Sequence, residues 1–205
     1  MTQAGDSILV TPGSGATVAT HTVNSKEHQV IMLADAAGNL IDEPLGVYAF
    51  TTVAMAKAAS RNYLSIYNDD AALIVDVLGV WVAQESTAAV TGLIRGYRLF
   101  RTTASAPTGG TSNTPVKLDT TTGALDADIT CRTNNLTATA SGEALAAVGV
   151  GEEETGAGGA IRHWLWNWKI EGLPIVLRDN EGIVVQQDAT AGTGVLSAGA
   201  IFRVR

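Results

Sequence analysis

From Asn62 onward, hydrophobic and polar residues follow one another in short runs that are typical of β-strands. The run Tyr63–Tyr67 alternates, and Leu73–Val82 is a longer run rich in β-branched and apolar residues. Gly79 interrupts the second run, which predicts a bulge or bend within that strand. Further runs predict strands at 91–102, 116–118, 128–132, 136–138, 161–170, 174–177, 182–187 and 195–204.

Turn-forming residues separate these runs, and 104–113 is predicted to be a loop of Ser, Pro, Thr and Gly. No run alternates with a long helical segment, so a doubly wound fold is disfavoured. Many short strands joined by turns predict an all-β fold, a β-sandwich or jelly-roll-like domain. Val53–Ser60 contains good helix formers but is short, so a helix and a strand followed by a loop both remain open there.

The first 46 residues have a different character from the rest of the chain. Thr11–Gly15 and Asp35–Asn39 are predicted turns, and short β-like runs lie at 7–10, 17–23 and 29–33. This section has too little apolar bulk to bury a core of its own. We therefore expect 1–46 to form an extended N-terminal arm or hairpin segment and 47–205 to form the β-sandwich body, with the arm gaining order from a partner or from the body.

Three of the four tryptophans lie at alternate positions of the predicted strand 161–170. Because side chains alternate between the faces of a strand, Trp164, Trp166 and Trp168 are predicted to share one face. Such a stripe suits the sandwich core, an interface with a neighbouring subunit, where Trp is enriched, or a platform for sugar rings. The pattern alone leaves these three uses open.

Arginines are the second group of candidate partner contacts. Arg95 and Arg101 are predicted to share one face of the strand 91–102 while Arg98 points the other way, and Arg203 and Arg205 share a face at the end of the sequence. These side chains are either ion-pair donors to a partner or ordinary solvated positions. Together with the tryptophans and four apolar residues of the arm, the predicted partner interface is Val18, Val23, Val30, Met32, Arg95, Arg98, Arg101, Trp164, Trp166, Trp168, Arg203 and Arg205.

Composition and charge narrow the possible functions. The 205 residues carry a formal net charge of −7, whereas a surface that binds the phosphate backbone is normally basic, so we expect no nucleic acid as a partner. Only 5% of residues are aromatic and 22 are glycine, which favours small side chains and turns over a helical bundle. The opening residues lack the charge and apolar run of a secretory signal, and no apolar run has the length of a membrane span, so we expect neither.

Residues that support catalysis are sparse. The single Cys131 excludes an internal disulfide and a CxxC metal site, and its place in a predicted strand indicates a core residue. Two of the three histidines, His21 and His28, lie in the arm, and His163 lies in the tryptophan strand. No zinc-protease, nucleophile-elbow or Walker-type pattern is present.

Paired carboxylates are the remaining candidates for chemistry. The pairs Asp69/Asp70 and Asp126/Asp128 both lie beside predicted turns. Two acids can be selected in any fold, so such pairs indicate turns rather than a specific acid–base site. We expect no catalytic residue, no metal and no cofactor, and hence no enzyme.

Five segments have a recognisable pattern: Val10–Thr20, His28–Asn39, Ala88–Thr103, Gly109–Asp119 and Leu173–Val185. They resemble segments of virion structural proteins of tailed bacteriophages. The last contains a Pro-x-x-Leu-Arg-x-x-Glu-Gly stretch that is similar to the closing part of the same group of proteins. The likeness covers most of the chain and includes no catalytic signature.

Within that group the sequence is most similar to capsid decoration (cement) proteins. The resemblance implies a β-sandwich or jelly-roll module that binds the outer surface of a capsid and stabilises it through subunit and arm contacts. It also implies the major capsid protein and further copies of the chain, as a homotrimer, as partners, no membrane partner, and a place in a virion assembled in the host cytoplasm. Two alternatives remain open: a tail, neck or head-fibre component, and a carbohydrate-binding module that holds a glycan on the tryptophan stripe.

Overall fold

The structure is a computed structural model that describes residues 19–23, 26–30, 46–85, 93–152, 162–190 and 194–205, with backbone alone for the first two ranges. The chain divides into two compact units, Met1–Glu43 and Pro44–Arg205. In the first unit, strands β1 (Ala19–Val23) and β2 (Lys26–Val30) form an antiparallel hairpin. The predicted turns and remaining β-like runs of the first 46 residues lie outside the described residues.

The second unit consists almost entirely of strands. They are β3 (Gly46–Ala56), β4 (Asn62–Asn68), β5 (Val75–Gln84), β6 (Leu93–Thr102), β7 (Thr108–Asn113), β8 (Val116–Lys117), β9 (Ile129–Thr137), β10 (Ala140–Glu152), β11 (Arg162–Asn167), β12 (Ile175–Leu177), β13 (Glu181–Gln187) and β14 (Val195–Val204). A one-turn helix, α1 (Trp168–Glu171), follows β11.

These strands form two antiparallel sheets that pack as a sandwich. The first sheet has the order β10-β6-β13-β4-β9-β7, and the second has the order β11-β5-β14-β3-β8, with β12 also paired to β5. The sheets bury one hydrophobic core, to which Leu99 and Ile183 contribute from the first sheet and Val77 and Phe202 from the second. The predicted all-β sandwich is confirmed.

Residues 53–60 are not helical. Strand β3 continues through Ala56, where it pairs with β14, and a turn follows at residues 59 and 60. Met55 of this segment is almost fully buried in the core. Strand pairing and burial outweigh the weak helix propensity of so short a stretch.

Two other segments differ from the sequence prediction. The predicted loop 104–113 is wrong in its second half, because Thr108–Asn113 forms β7 at the edge of the first sheet. The sequence pattern does not predict strand β10, since Ala and Gly, which have weak strand propensity, dominate its sequence. Its pairing with β6 supplies the stability that its composition lacks.

The predicted irregularity at Gly79 is confirmed as a β-bulge. On β14, Ile201 lies opposite Gly79 and Phe202 lies opposite Val77, so Leu78 has no partner there. The bulge shifts the alternation of side chains along β5. Val77 and Val80 face the core, whereas Asp76, Gly79 and Trp81 lie on the opposite face.

Candidate interaction surface

The face of the second sheet that points away from the core carries two tryptophans and a group of charged side chains. We call it the outer face of the second sheet. Strands β5, β11 and β14 supply Asp76, Gly79, Trp81, Arg162, Trp164, Gly199 and Arg203, and Arg205 follows β14 directly. Of the predicted interface residues, this face brings together Trp164, Arg203 and Arg205.

An aromatic cluster occupies one end of this face. The rings of Trp81 and Trp164 meet edge to face, with their centroids 5.5 Å apart. The guanidinium carbon of Arg162 lies 4.5 Å from the centroid of the Trp81 ring and 5.7 Å from that of Trp164. A cation over an aromatic ring is attracted by the ring quadrupole, so the three side chains fix one another. Trp81 is only 5% exposed beneath this cover, whereas Trp164 is 37% exposed.

Two glycines provide the space for these rings. A Cβ atom at Gly199 would lie 2.6 Å from Cε2 of Trp81, and a Cβ atom at Gly79 would lie 2.7 Å from Cζ3 of Trp164. Distances below 3.0 Å are not observed for real Cβ atoms. Both indoles therefore lie against the backbone of the sheet, in positions that only glycine permits.

A carboxylate–arginine cluster occupies the other end of the same face. The Nε atoms of Arg203 and Arg205 both donate to Oδ2 of Asp76, at 2.8 and 2.9 Å. The carboxylate is 1% exposed, whereas the side chains of Arg203 and Arg205 are 38% and 28% exposed. We call these three residues the Asp76 clamp.

The prediction that three tryptophans share a face is wrong. Trp164 lies opposite Trp81 and Trp166 lies opposite Val80, so a β-bulge at Leu165 separates them. Trp166 therefore packs against the core. The strand ends before Trp168, which begins helix α1.

Helix α1 and the residues after it expose apolar side chains at the edge of the second sheet. Strands β11 and β12 pair with successive parts of β5, and α1 lies between them in the chain. The side chain of Asn167 caps α1 by accepting the N–H of Lys169, and Gly172 ends it in the left-handed conformation. Trp168, Ile170 and Leu173 are all exposed.

The other predicted interface residues are dispersed. Arg95 is fully buried, Arg98 is exposed on the outer side of the first sheet, and Nη1 of Arg101 donates to the carbonyl of Val176 at 3.2 Å. Val23 and Val30 lie on β1 and β2, where only the backbone is described, and Val18 and Met32 lie outside the described residues.

Among the described residues, three aspartates come close together at the surface. Carboxylate oxygens of Asp70, Asp126 and Asp128 lie within 4.8 Å of one another. Asp70 accepts the backbone N–H of Ala72, and Asp126 accepts that of Asp128. Oxygen ligands of this kind suit Ca²⁺, but these hydrogen bonds already account for Asp70 and Asp126 as turn residues, as predicted.

Two ionisable groups have shifted pKa values that bear on chemistry. Burial would raise the pKa of Asp188, but the N–H groups of Thr190 and Gly96 and the charge of Arg98 outweigh it, so the pKa lies below its ordinary value. Burial raises the pKa of the Cys131 thiol. Burial thus disfavours the reactive thiolate, and the buried position of Cys131 agrees with its predicted place in the core.

Sequence reasoning missed Asp76, Trp81 and Arg162. The available signal was the pair of mid-strand glycines, Gly79 and Gly199, since glycine within a strand often marks a close approach of another group.

No described helix is long and apolar enough to cross a membrane. No protein-family model matches the chain, and comparisons with curated proteins and with solved structures found no match.

Proposed function

We propose that this protein is a structural component of a tailed-bacteriophage virion that binds the outer surface of the capsid and stabilises it without catalysis. Its partners are the major capsid protein and other copies of the chain, as a homotrimer. Nucleic acid, a membrane and a cofactor have no part in this role. The resemblance of five sequence segments to virion proteins gives the proposal its starting point.

The observation that supports the proposal most is the outer face of the second sheet. Its side chains are held in place before any partner arrives, by the stack of Arg162 on Trp81 and Trp164 and by the ion pairs of Asp76. Trp and Arg are the residues most enriched among those that dominate protein interfaces. A prearranged surface loses little conformational entropy on binding.

The N-terminal hairpin supports a second kind of contact. Strands β1 and β2 belong to a compact unit separate from the sandwich. A segment that adds to the open edge of a sheet in a neighbouring subunit gains main-chain hydrogen bonds along that edge. Many such contacts on one particle reinforce one another through multivalency.

The carbohydrate alternative loses its main premise. It required Trp164, Trp166 and Trp168 to form one flat platform. Instead, Trp164 lies on the outer face of the second sheet, Trp166 packs against the core and Trp168 begins helix α1. The tail, neck or head-fibre alternative differs from the proposal chiefly in copy number, and a titration of capsids separates the two.

The test is a titration of capsids that lack decoration protein with the purified full-length chain, read as bound copies per particle at saturation. The proposal predicts saturation at about a hundred copies or more, because a decoration protein follows the repeated capsid lattice. Saturation at about a dozen copies or fewer would contradict it and favour a vertex, neck or tail position. Absence of binding would contradict any role on the capsid surface.

A further inference from the structure

Within the part of the chain that the structure describes, each guanidinium of the Asp76 clamp is held through its Nε atom alone. Arginine carries five N–H donors, one on Nε and four on the two terminal nitrogens. Arg203 and Arg205 use Nε to bind Asp76, and the described residues give neither guanidinium another hydrogen bond or ion pair. Because both side chains are partly exposed, the remaining donors are accessible to a partner from solvent.

Backbone hydrogen bonds also hold the residues of the clamp in place. Arg203 lies directly opposite Asp76 in the pairing of β14 with β5. The N–H and C=O groups of Arg205 both bond to Ile74, at 3.0 and 2.9 Å. The two guanidiniums are therefore prearranged, and a ligand does not bear the entropic cost of ordering them.

The charge of the clamp favours one anion at short range. Counting side chains alone, two guanidiniums and one carboxylate leave one positive charge in the clamp, whereas the formal net charge of the chain is −7. Arg101, which donates to the carbonyl of Val176 on β12, lies 3.6 Å from the carboxylate of Glu181, so the charges of those two side chains offset each other. A long polyanion would be repelled by the negative charge of the chain as a whole. A single carboxylate on a protein surface can approach the clamp more closely than the screening length, where the local positive charge dominates.

The second oxygen of Asp76 indicates that stability alone does not explain the cluster. Oδ1 is buried and has no hydrogen-bond partner among the described residues. A buried acceptor without a donor is destabilising, and buried ion pairs are often no more stable than apolar replacements. Departures of this kind from optimal stability are typical of residues that bind a partner.

We propose that Arg203 and Arg205 together bind an Asp or Glu carboxylate of a neighbouring protein through their free terminal nitrogens. Arginine forks match the two oxygens of a carboxylate, which makes such contacts specific in geometry as well as charge. The proposal rests on the proposed function, because the capsid subunit is the neighbour that carries this carboxylate.

The test compares capsid binding by the wild-type chain and by the double variant Arg203→Lys/Arg205→Lys. Lysine retains a positive charge beside Asp76 but removes the planar fork that faces the partner. We expect the double variant to remain folded, as a cooperative thermal unfolding transition would show, and to bind capsids about 30-fold more weakly or worse, because the paired hydrogen bonds of the guanidinium forks to the partner carboxylate are lost. The matched control is Arg132→Lys, an arginine on β9 of the other sheet and outside the predicted interface, which should keep wild-type affinity.

A second arm tests the chemistry of the occupant. Capsids whose surface carboxylates have been converted to neutral amides should bind the wild-type chain as weakly as the double variant binds unmodified capsids. The double variant should lose little more on the modified capsids, because the two changes remove the same contact.

Two different results would overturn the claims separately. If wild-type chain binds capsids and the double lysine variant binds within about twofold of it, the carboxylate site is wrong and the proposed function stands. If the wild-type chain itself does not bind, the proposed function fails and the site fails with it.

Discussion

The indole ring of Trp81 lies against the backbone of Gly199 on the neighbouring strand. A Cβ atom at position 199 would lie 2.6 Å from Cε2 of Trp81 and 2.8 Å from the hydroxyl oxygen of Thr51. The ring is thus held between the sheet on one side and Arg162 on the other. This packing explains how a tryptophan on an outer face is almost completely buried.

Replacement of Gly199 by alanine should destabilise the protein by about 1–3 kcal/mol, because the new methyl group forces Trp81 or the strand to shift. Equilibrium unfolding in urea measures the change. The matched control is Gly151→Ala, a strand glycine at which a Cβ atom would have no neighbour within 4 Å, and there the effect should stay within about 0.5 kcal/mol. Equal effects at the two positions would contradict this account of the Trp81 packing.

The broken tryptophan stripe predicts unequal costs for two alanine substitutions. Trp166→Ala should lower the free energy of unfolding by about 3 kcal/mol, because Trp166 packs against the core. Trp168→Ala should cost less than about 1 kcal/mol, because that side chain is exposed on α1. Thermal or urea unfolding of the two variants gives the comparison, and similar losses would show that both rings have the same surroundings.

Asp188 should contribute stability that depends on pH. Its folded-state pKa lies below its unfolded value, so the contribution is present above about pH 4 and is lost as the pH falls through the folded pKa. Because solvent screens this partly exposed carboxylate, Asp188→Asn should be less stable than the wild type by no more than about 1 kcal/mol near neutral pH, with the difference shrinking in acid. Unfolding free energies measured across this range test the sign, and a difference independent of pH would contradict it.

Cys131 should react with thiol reagents only when the protein unfolds. Its side chain is buried and burial raises the pKa of the thiol, so reagent access and the reactive thiolate are both restricted. Mass spectrometry of the chain after exposure to a thiol-modifying reagent, with and without denaturant, measures the difference. The exposed Ser105→Cys variant provides a thiol that should react at once, and equally rapid modification of Cys131 in the native protein would place it at the surface.

The fold was predictable because its signal is local. Alternation in Tyr63–Tyr67, the long β-rich run of β5 and frequent turn residues all point to antiparallel sheets. Local signals failed where pairing decides the outcome. The helix formers of residues 53–60 lie in a strand and the turn after it because that strand, β3, pairs with β14. The Ala- and Gly-rich β10 is a strand because it pairs with β6.

The candidate surface was only partly predictable, since it depends on contacts between residues far apart in the sequence. Arg203 and Arg205 are predicted to share a face, but Asp76, their partner, is 127 and 129 residues away. A single extra residue at Leu165 also removed Trp166 from the face of Trp164. A prediction based on strict alternation of side chains does not include such a bulge. One inserted residue moves every side chain after it to the opposite face of the strand.

The central claim is that the chain binds a capsid through the outer face of the second sheet. Hydroxyl-radical footprinting of the free protein and of the protein bound to capsids tests it most directly, because it reports the exposure of single side chains. The account predicts that oxidation of Trp164 falls several-fold on the particle while that of Ile94, an exposed residue on the outer side of the first sheet, stays unchanged. Unchanged oxidation of Trp164 together with protection of Ile94 would contradict the claim.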